Sequence, residues 1–170
     1  HRGSSAASDV YKRQAVGDPK YDNDPTAKIR PEEGLLRMRK KLGLYANIRP
    51  TYTFDSLLEK SPIKKSIIQG TDLVFVRELT GGIYFGKRGR NKTDDYAYDT
   101  CEYNVNEIKR LAKIGFELAM KRSKKLCCID KANVLETSRL WRQTVQSLEK
   151  NYPEVNLSLI HISEPTRHCT

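Results

Sequence analysis

The chain has 170 residues, 38% of them apolar and 31% charged, enough for one domain with a real core and outside the disordered range. No run approaches the roughly 18 apolar residues of a membrane span, and no charged start followed by an apolar run and a small-residue cleavage site marks a secretory signal. A net charge of +10, from 31 Lys and Arg against 21 Asp and Glu, points to anionic partners: nucleic acid, acidic lipid or a multiply charged small acid.

The two ends read differently from the middle. Residues 1–14 and 158–170 carry no helix or strand period that joins them to their neighbours. The strings SSAASDVYKRQ (4–14) and SLIHISEPTR (158–167) resemble translated sequencing-adaptor sequence, so both ends are expected to be non-native and are set aside. Removing Arg2, Lys12, Arg13 and Asp9 at one end, and Arg167 and Glu164 at the other, leaves the middle at +8. The basic excess belongs to the middle.

After a polar loop at 17–29, a helix is expected from Pro31, with Pro in its first turn, Glu32 and Glu33 beside it and Gly43 as its stop. Leu35, Leu36, Met38 and Leu42 supply an apolar stripe, and Arg39, four after Leu35 and three after Leu36, falls on it. Residues 44–49 form an extended segment that should end at Pro50. Residues 73–76 read as a strand, continuous in apolar character as in a sheet covered on both faces. A turn at 79–82 leads into a hairpin region whose polar tip spans 87–95.

The clearest helix is 105–124. Asn104 with Glu107 makes a capping-box start, and Ile108, Leu111, Ala112, Gly115, Leu118 and Ala119 keep the helical period. Lys121, Arg122, Lys124 and Lys125 would complement its negative end. A strand at 126–129 runs into Asp130, Lys131, Ala132 and Asn133, and a last helix covers 137–150 with Leu140, Trp141, Val145 and Leu148. Strands alternating with helices imply an α/β architecture.

All three histidines (His1, His161 and His168) lie in the ends, so proton chemistry in residues 15–157 falls to Lys, Tyr, Asp, Glu or Cys. A histidine zinc site and a Ser-His-Asp triad are excluded there. Cys127 and Cys128 are adjacent, Cys101 is isolated and Cys169 is in the tail; without a C-x-x-C pair, neither a zinc module nor a disulfide framework is supported. Free cysteines in a core-like run suggest a reducing, cytoplasmic setting.

Two strands end in charged residues: one in Arg77 and Glu78, the other in Asp130 and Lys131. Ligands of open α/β sheets bind beyond the carboxyl ends of strands, which makes Arg77 and Lys131 candidates on position alone. Arg39 on an apolar stripe and Arg49 before a proline join them. Arginine is suited to bidentate carboxylate binding, and three arginines without a phosphate-binding loop suggest a di- or tricarboxylate. The rival reading is a basic nucleic-acid-binding module, resting on the cluster at 121–125 and on Lys87, Arg88, Arg90 and Lys92. The first closes a helix, and Asp94 and Asp95 interrupt the second. Neither has the aromatic interleaving of a single-strand binder, and no helix-turn-helix or finger spacing occurs. Neither nucleic acid nor a membrane is therefore expected as a partner.

Five stretches, GDPKYD (17–22), RPEEGLLRMRK (30–40), YANIRP (45–50), VRELTGGIYFG (76–86) and DKANVLETSRLWR (130–142), resemble the β-decarboxylating dehydrogenases. Among the isopropylmalate, isocitrate, homoisocitrate and tartrate branches of that family, the RPEEGLL stretch favours 3-isopropylmalate. The match covers residues 15–157, in order, as an internal piece of a chain about twice this length. The resemblance implies an internal fragment of the isocitrate/isopropylmalate dehydrogenase-type α/β fold, a mixed sheet with flanking helices and a dimer arm.

It also implies roles. Arg39, Arg49 and Arg77 would hold the two substrate carboxylates, Tyr84 would give a proton to the enol left after decarboxylation, and Lys131 would help remove the hydroxyl proton. Glu32, Leu35 and Leu36 would face the alkyl branch. Burying an isopropyl group there gains about 0.8 kcal/mol per carbon, whereas a third carboxylate would be left unpaired. Asp18, Pro19, Lys20, Tyr21, Asp22, Lys28, Ile29, Arg30 and Pro31 would face NAD. This family does not use the G-x-G-x-x-G fingerprint, and none occurs here. The ligands for Mg²⁺ or Mn²⁺ would lie outside this chain, so no residue is assigned to the metal and the chain alone is expected to be inactive. The intact enzyme would be a cytoplasmic homodimer of leucine (branched-chain amino acid) biosynthesis, with an arm at about 84–103 crossing to the partner and Lys131 serving the partner's site.

Overall fold

The computed structural model describes residues 31–161, and the chain separates into two units, His1–Leu44 and Tyr45–Thr170. In the first, α1 (Pro31–Lys41) opens on Glu32 and Glu33 and closes on Arg39, Lys40 and Lys41, charges that complement its dipole at both ends. Gly43 stops it as expected. Its φ of 63° is open to glycine at little cost, and it lets the Leu44 amide reach back to the Arg39 carbonyl at 2.9 Å. Leu35, Leu36 and Arg39 are half-buried, so the arginine does share the apolar stripe, while Leu42 is exposed.

The second unit begins with β1 (Ala46–Tyr52), antiparallel to β2 (Asp72–Glu78), Ala46 lying opposite Glu78 and Tyr52 opposite Asp72. The extended segment does not end at Pro50. It runs two residues further, with Pro50 opposite Val74. Among the described residues β1 pairs only with β2, and an outer strand tolerates a proline whose missing N–H would face away from the ladder. Nor is β2 covered on both faces. Val74, Val76 and Glu78 turn inward, whereas Leu73, Phe75 and Arg77 are exposed. The two-residue alternation follows from β2 packing one face on the long helix at 105–120.

The hairpin expected next is present as β3 (Arg88–Arg90) and β4 (Ala97–Asp99), antiparallel, with Arg88 opposite Asp99. Helix α2 (Lys65–Ile68) is a short connector before β2. The long helix α3 (Val105–Met120) starts on the expected capping box: the Asn104 side chain accepts from the Glu107 amide, and the Glu107 carboxylate accepts from the Asn104 amide, both at 3.0 Å. It stops four residues earlier than expected. Lys124, at φ 56°, bends the chain back so that its amide donates to the Ala119 carbonyl at 3.0 Å, and the lysines lie past the helix end.

Strand β5 (Lys125–Asp130), helix α4 (Glu136–Glu149) and β6 (Asn156–His161) make a parallel β–α–β unit, with Lys125 opposite Asn156 and Asp130 opposite His161. β6 carries the pairing into residues 158–161, part of the end set aside on its resemblance to adaptor sequence. Parallel and antiparallel pairing thus both occur, in three two-stranded sheets among the described residues. The core joins Ile108, Ala112, Phe116 and Ala119 of α3 to Cys128, Val145 and Val155. Phe116 and Ile108 are fully buried, worth about 1.5–3 kcal/mol each, and Phe116 stacks on Tyr152 at 4.8 Å.

Candidate active site

Antiparallel pairing decides where the arginines of β1 and β2 point. Arg77 lies opposite Asn47 and Arg49 opposite Phe75, so both guanidinium groups rise from one face of the ladder on a diagonal. Arg49 Nε donates to Asn47 Oδ1 at 2.5 Å. Both arginines are exposed and form no ion pair among the described residues. Two guanidinium forks on one open face have the chemistry to bind an anion with more than one oxygen.

Glu78, the next residue, turns the other way and is buried. Its Oε1 accepts from the Thr80 amide at 2.8 Å, the Thr80 hydroxyl at 2.7 Å and Arg110 Nη2 at 3.0 Å. Arg110 also donates to Thr80 Oγ1 at 2.6 Å and lies over the Tyr45 ring at 4.4 Å. These bonds tie the end of β2 to α3 and set the turn that follows. There a 3₁₀ turn (Gly82–Tyr84) begins at Gly82, whose φ is 78° and whose amide donates to the Glu102 carbonyl at 2.9 Å. Tyr84 leaves this turn 54% exposed.

Arg77 and Tyr84 line one concavity of about 350 Å³ at the carboxyl ends of β2 and β5, together with Tyr103, Asp130, Thr137 and Ser138. This is the position expected for a ligand of an α/β fold. Tyr103 packs edge-on against Trp141 at 5.2 Å. Burial first, then the neighbouring Cys101, pushes its phenol above the ordinary value, so it stays a neutral donor at neutral pH.

Lys131 follows β5 directly, is half-buried and does not line the concavity. The turn that carries it rests on Asp130, which is buried and held by Arg142 with Nε to Oδ2 and Nη2 to Oδ1 both at 2.8 Å. Behind it, burial and the Asp130 charge push the Cys128 thiol from 9.0 up to about 11. The sequence reading placed Glu78 and Asp130 at strand ends without giving them a role, and it did not single out Arg142, Arg110 or Tyr103. The available signals were the carboxylate that ends each strand and the pair of arginines, Arg139 and Arg142, three apart on the following helix.

The structure brings together Arg77 and Tyr84, and places Arg49 on Arg77's face of the ladder but outside the concavity. Arg39, Leu35 and Leu36 share one side of α1 in the other unit, where Glu32 is exposed. Asp18, Pro19, Lys20, Tyr21, Asp22, Lys28, Ile29 and Arg30 lie outside the described residues, and Pro31 opens α1. Among the described residues no three His, Cys, Asp or Glu side chains gather to hold a metal. No described helix is long and apolar enough to cross a membrane.

The family model for isocitrate/isopropylmalate dehydrogenase matches residues 5–164. A 3-isopropylmalate dehydrogenase of Bacteroides fragilis is 55% identical over 155 residues, covering 91% of this chain and 43% of the relative. One from Clostridium acetobutylicum is 53% identical over 158 residues, covering 91% and 44%, and one from Aquifex aeolicus is 51% identical over 158 residues, covering 91% and 43%. The chain thus spans less than half the length of these relatives. Among solved structures, isocitrate dehydrogenase from Methylococcus capsulatus superposes with a TM-score of 0.63 at 28% identity, over 74% of this chain and 37% of that one. The TT0538 protein from Thermus thermophilus, at 22% identity and a TM-score of 0.67 over 81% of this chain and 27% of its own, shares the fold.

Proposed function

Because the chain belongs to the isocitrate/isopropylmalate dehydrogenase family, we propose that the whole protein carries out the NAD-dependent oxidative decarboxylation of 3-isopropylmalate. The observation that carries this reading is the shared concavity of Arg77 and Tyr84 at the strand ends. Arg77, with Arg49 and Arg39, grips the two carboxylates through guanidinium forks. Lys131 takes the C2 hydroxyl proton as the hydride leaves, the β-carboxylate departs as carbon dioxide, and its bonding electrons form an enolate whose oxygen can take the proton back from Lys131. Tyr84 then delivers a proton to C3 from its hydroxyl. Residues 18–22 and 28–31 would hold NAD, which would supply the hydride acceptor, and Mg²⁺ or Mn²⁺ would polarise the forming carbonyl with ligands from the rest of the whole protein. Leu35 and Leu36, half-buried beside Arg39, suit an isopropyl branch better than the third carboxylate of isocitrate, the alternative substrate.

The same reading makes the intact enzyme a cytoplasmic homodimer of leucine biosynthesis, with no nucleic-acid partner. Its arm is the β3–β4 hairpin, whose Tyr96 and Tyr98 are exposed; a two-stranded hairpin is marginal in water and gains from packing on a second subunit. Lys131's place outside the concavity is consistent with service to the partner's site. Residues 1–14 and 158–170 remain proposed as non-native. Titrating the labelled chain with 3-isopropylmalate tests the clamp: the Arg77 guanidinium and Tyr84 ring resonances should shift saturably, and isocitrate should shift them less. Titrations that leave both unmoved, or a stronger response to isocitrate, would reject the reading.

A further inference from the structure

The five residues after β5 have little core of their own: Asn133, Val134 and Leu135 are exposed. Their order comes from α4. Arg139 and Arg142, three apart, lie on one side of that helix and reach the turn from the same direction. Arg142 closes its fork on the buried carboxylate of Asp130, and Asp130 Oδ1 also accepts from the Ala132 amide at 2.9 Å. Arg139 grips the next two residues, Nε donating to the Ala132 carbonyl at 2.9 Å and Nη2 to the Asn133 carbonyl at 3.4 Å, while Glu136 braces it from below. Inside this frame the Lys131 carbonyl accepts from the Val134 and Leu135 amides at 3.1 and 3.0 Å. The residues on both sides of Lys131 are therefore held by two planar donors from one helix, through the Asp130 carboxylate before it and the Ala132 and Asn133 carbonyls after it.

We propose that Arg142 and Arg139 are positioning residues that fix the direction from which Lys131 is presented. The proposal rests on the reading in which Lys131 takes the hydroxyl proton, since a misplacement of about 1 Å in such a group can cost on the order of 10²-fold in rate. A guanidinium is required at 142 because two parallel bonds to Asp130 set an orientation, which a lysine, a single point charge, does not.

Amide hydrogen exchange on the 170-residue chain tests this, comparing wild type with Arg142→Met, Arg142→Lys and Arg139→Met. Ala132, Val134 and Leu135 should exchange at least about tenfold faster in the two Met variants, while Ile108 and Phe116 in α3 keep their rates. Arg142→Lys should behave like Arg142→Met, and the Lys131 side-chain resonances should move toward those of an unstructured lysine in all three. Protection retained at the turn, full rescue by Arg142→Lys, or a loss spread evenly over α3 would each overturn the proposal. Should Arg142→Met fail to fold, Arg139→Met, whose side chain is partly exposed, decides alone. A failed titration with 3-isopropylmalate would remove the enzyme reading and leave this exchange pattern unchanged, so the two failures are distinguishable.

Discussion

Gly82→Ala probes the turn that delivers Tyr84. At its φ of 78° an L side chain is strained by about 1–2 kcal/mol. An added Cβ would also stand 2.4 Å from Tyr103 Oη and 2.8 Å from Tyr103 Cζ. Tyr103 cannot swing freely, because its ring is packed edge-on against Trp141, so overpacking adds about 1–3 kcal/mol. The expected loss is about 2–5 kcal/mol, read from urea unfolding by the fluorescence of Trp141, the single tryptophan of the chain and a neighbour of the perturbed ring. In a Tyr103→Phe background the closest atom is gone, and the penalty should shrink by about 1 kcal/mol while the backbone strain stays. Gly81→Ala is the control: its Cβ would approach Tyr103 no closer than 3.1 Å and its φ is not positive, so it should cost less. A Gly82→Ala variant within about 0.5 kcal/mol of wild type would refute the reasoning.

At alkaline pH the folded chain should hold a proton on Cys128 that the unfolded chain releases. Its contribution is present below about pH 9 and is lost toward the raised value of about 11, at about 1.4 kcal/mol per pH unit; urea midpoints of wild type and Cys128→Ala across this window should converge as pH rises, and parallel curves would contradict the burial argument. Alone, with NAD and Mg²⁺ supplied, the 170-residue chain should give no turnover of 3-isopropylmalate, since its described residues gather no metal site; measurable NADH formation would show otherwise. In a hybrid carrying residues 31–157 within the Bacteroides fragilis relative, replacing Leu35 and Leu36 by Ser should erode the kcat/KM preference for 3-isopropylmalate over isocitrate by about 2–3 kcal/mol. An unchanged ratio would make both leucines ordinary helix packing.

Local signals were strong wherever a few neighbouring residues decide the outcome. Asn104 with Glu107, and Gly43 after α1, are complete instructions within one turn, and both stand as read. Charged strand ends were equally legible, which is how Arg77 and Lys131 were found. Long-range partners were not. The run Leu73–Val74–Phe75–Val76 is uniformly apolar, and its inward face is settled by Glu78 meeting Arg110, 32 residues away. Pro50 reads as a stop, yet an outer strand carries it. Lys124 ends α3 early by adopting a conformation its residue type does not advertise. β6 was missed because its residues were judged by resemblance to foreign sequence rather than by the alternation of Leu157 and Leu159, both half-buried.

The central claim is that Arg77 and Tyr84 form one carboxylate-binding and proton-donating site for a branched, apolar hydroxy diacid. Steady-state kinetics of the same hybrid, with NAD and Mg²⁺, measure it directly. The account predicts a kcat/KM for 3-isopropylmalate at least about 10²-fold above that for isocitrate. Arg77→Met should lower kcat/KM by about 10² or more, and Tyr84→Phe should lower kcat with KM nearly unchanged. Equal use of isocitrate, or an Arg77→Met variant with the parent's kcat/KM, would contradict it.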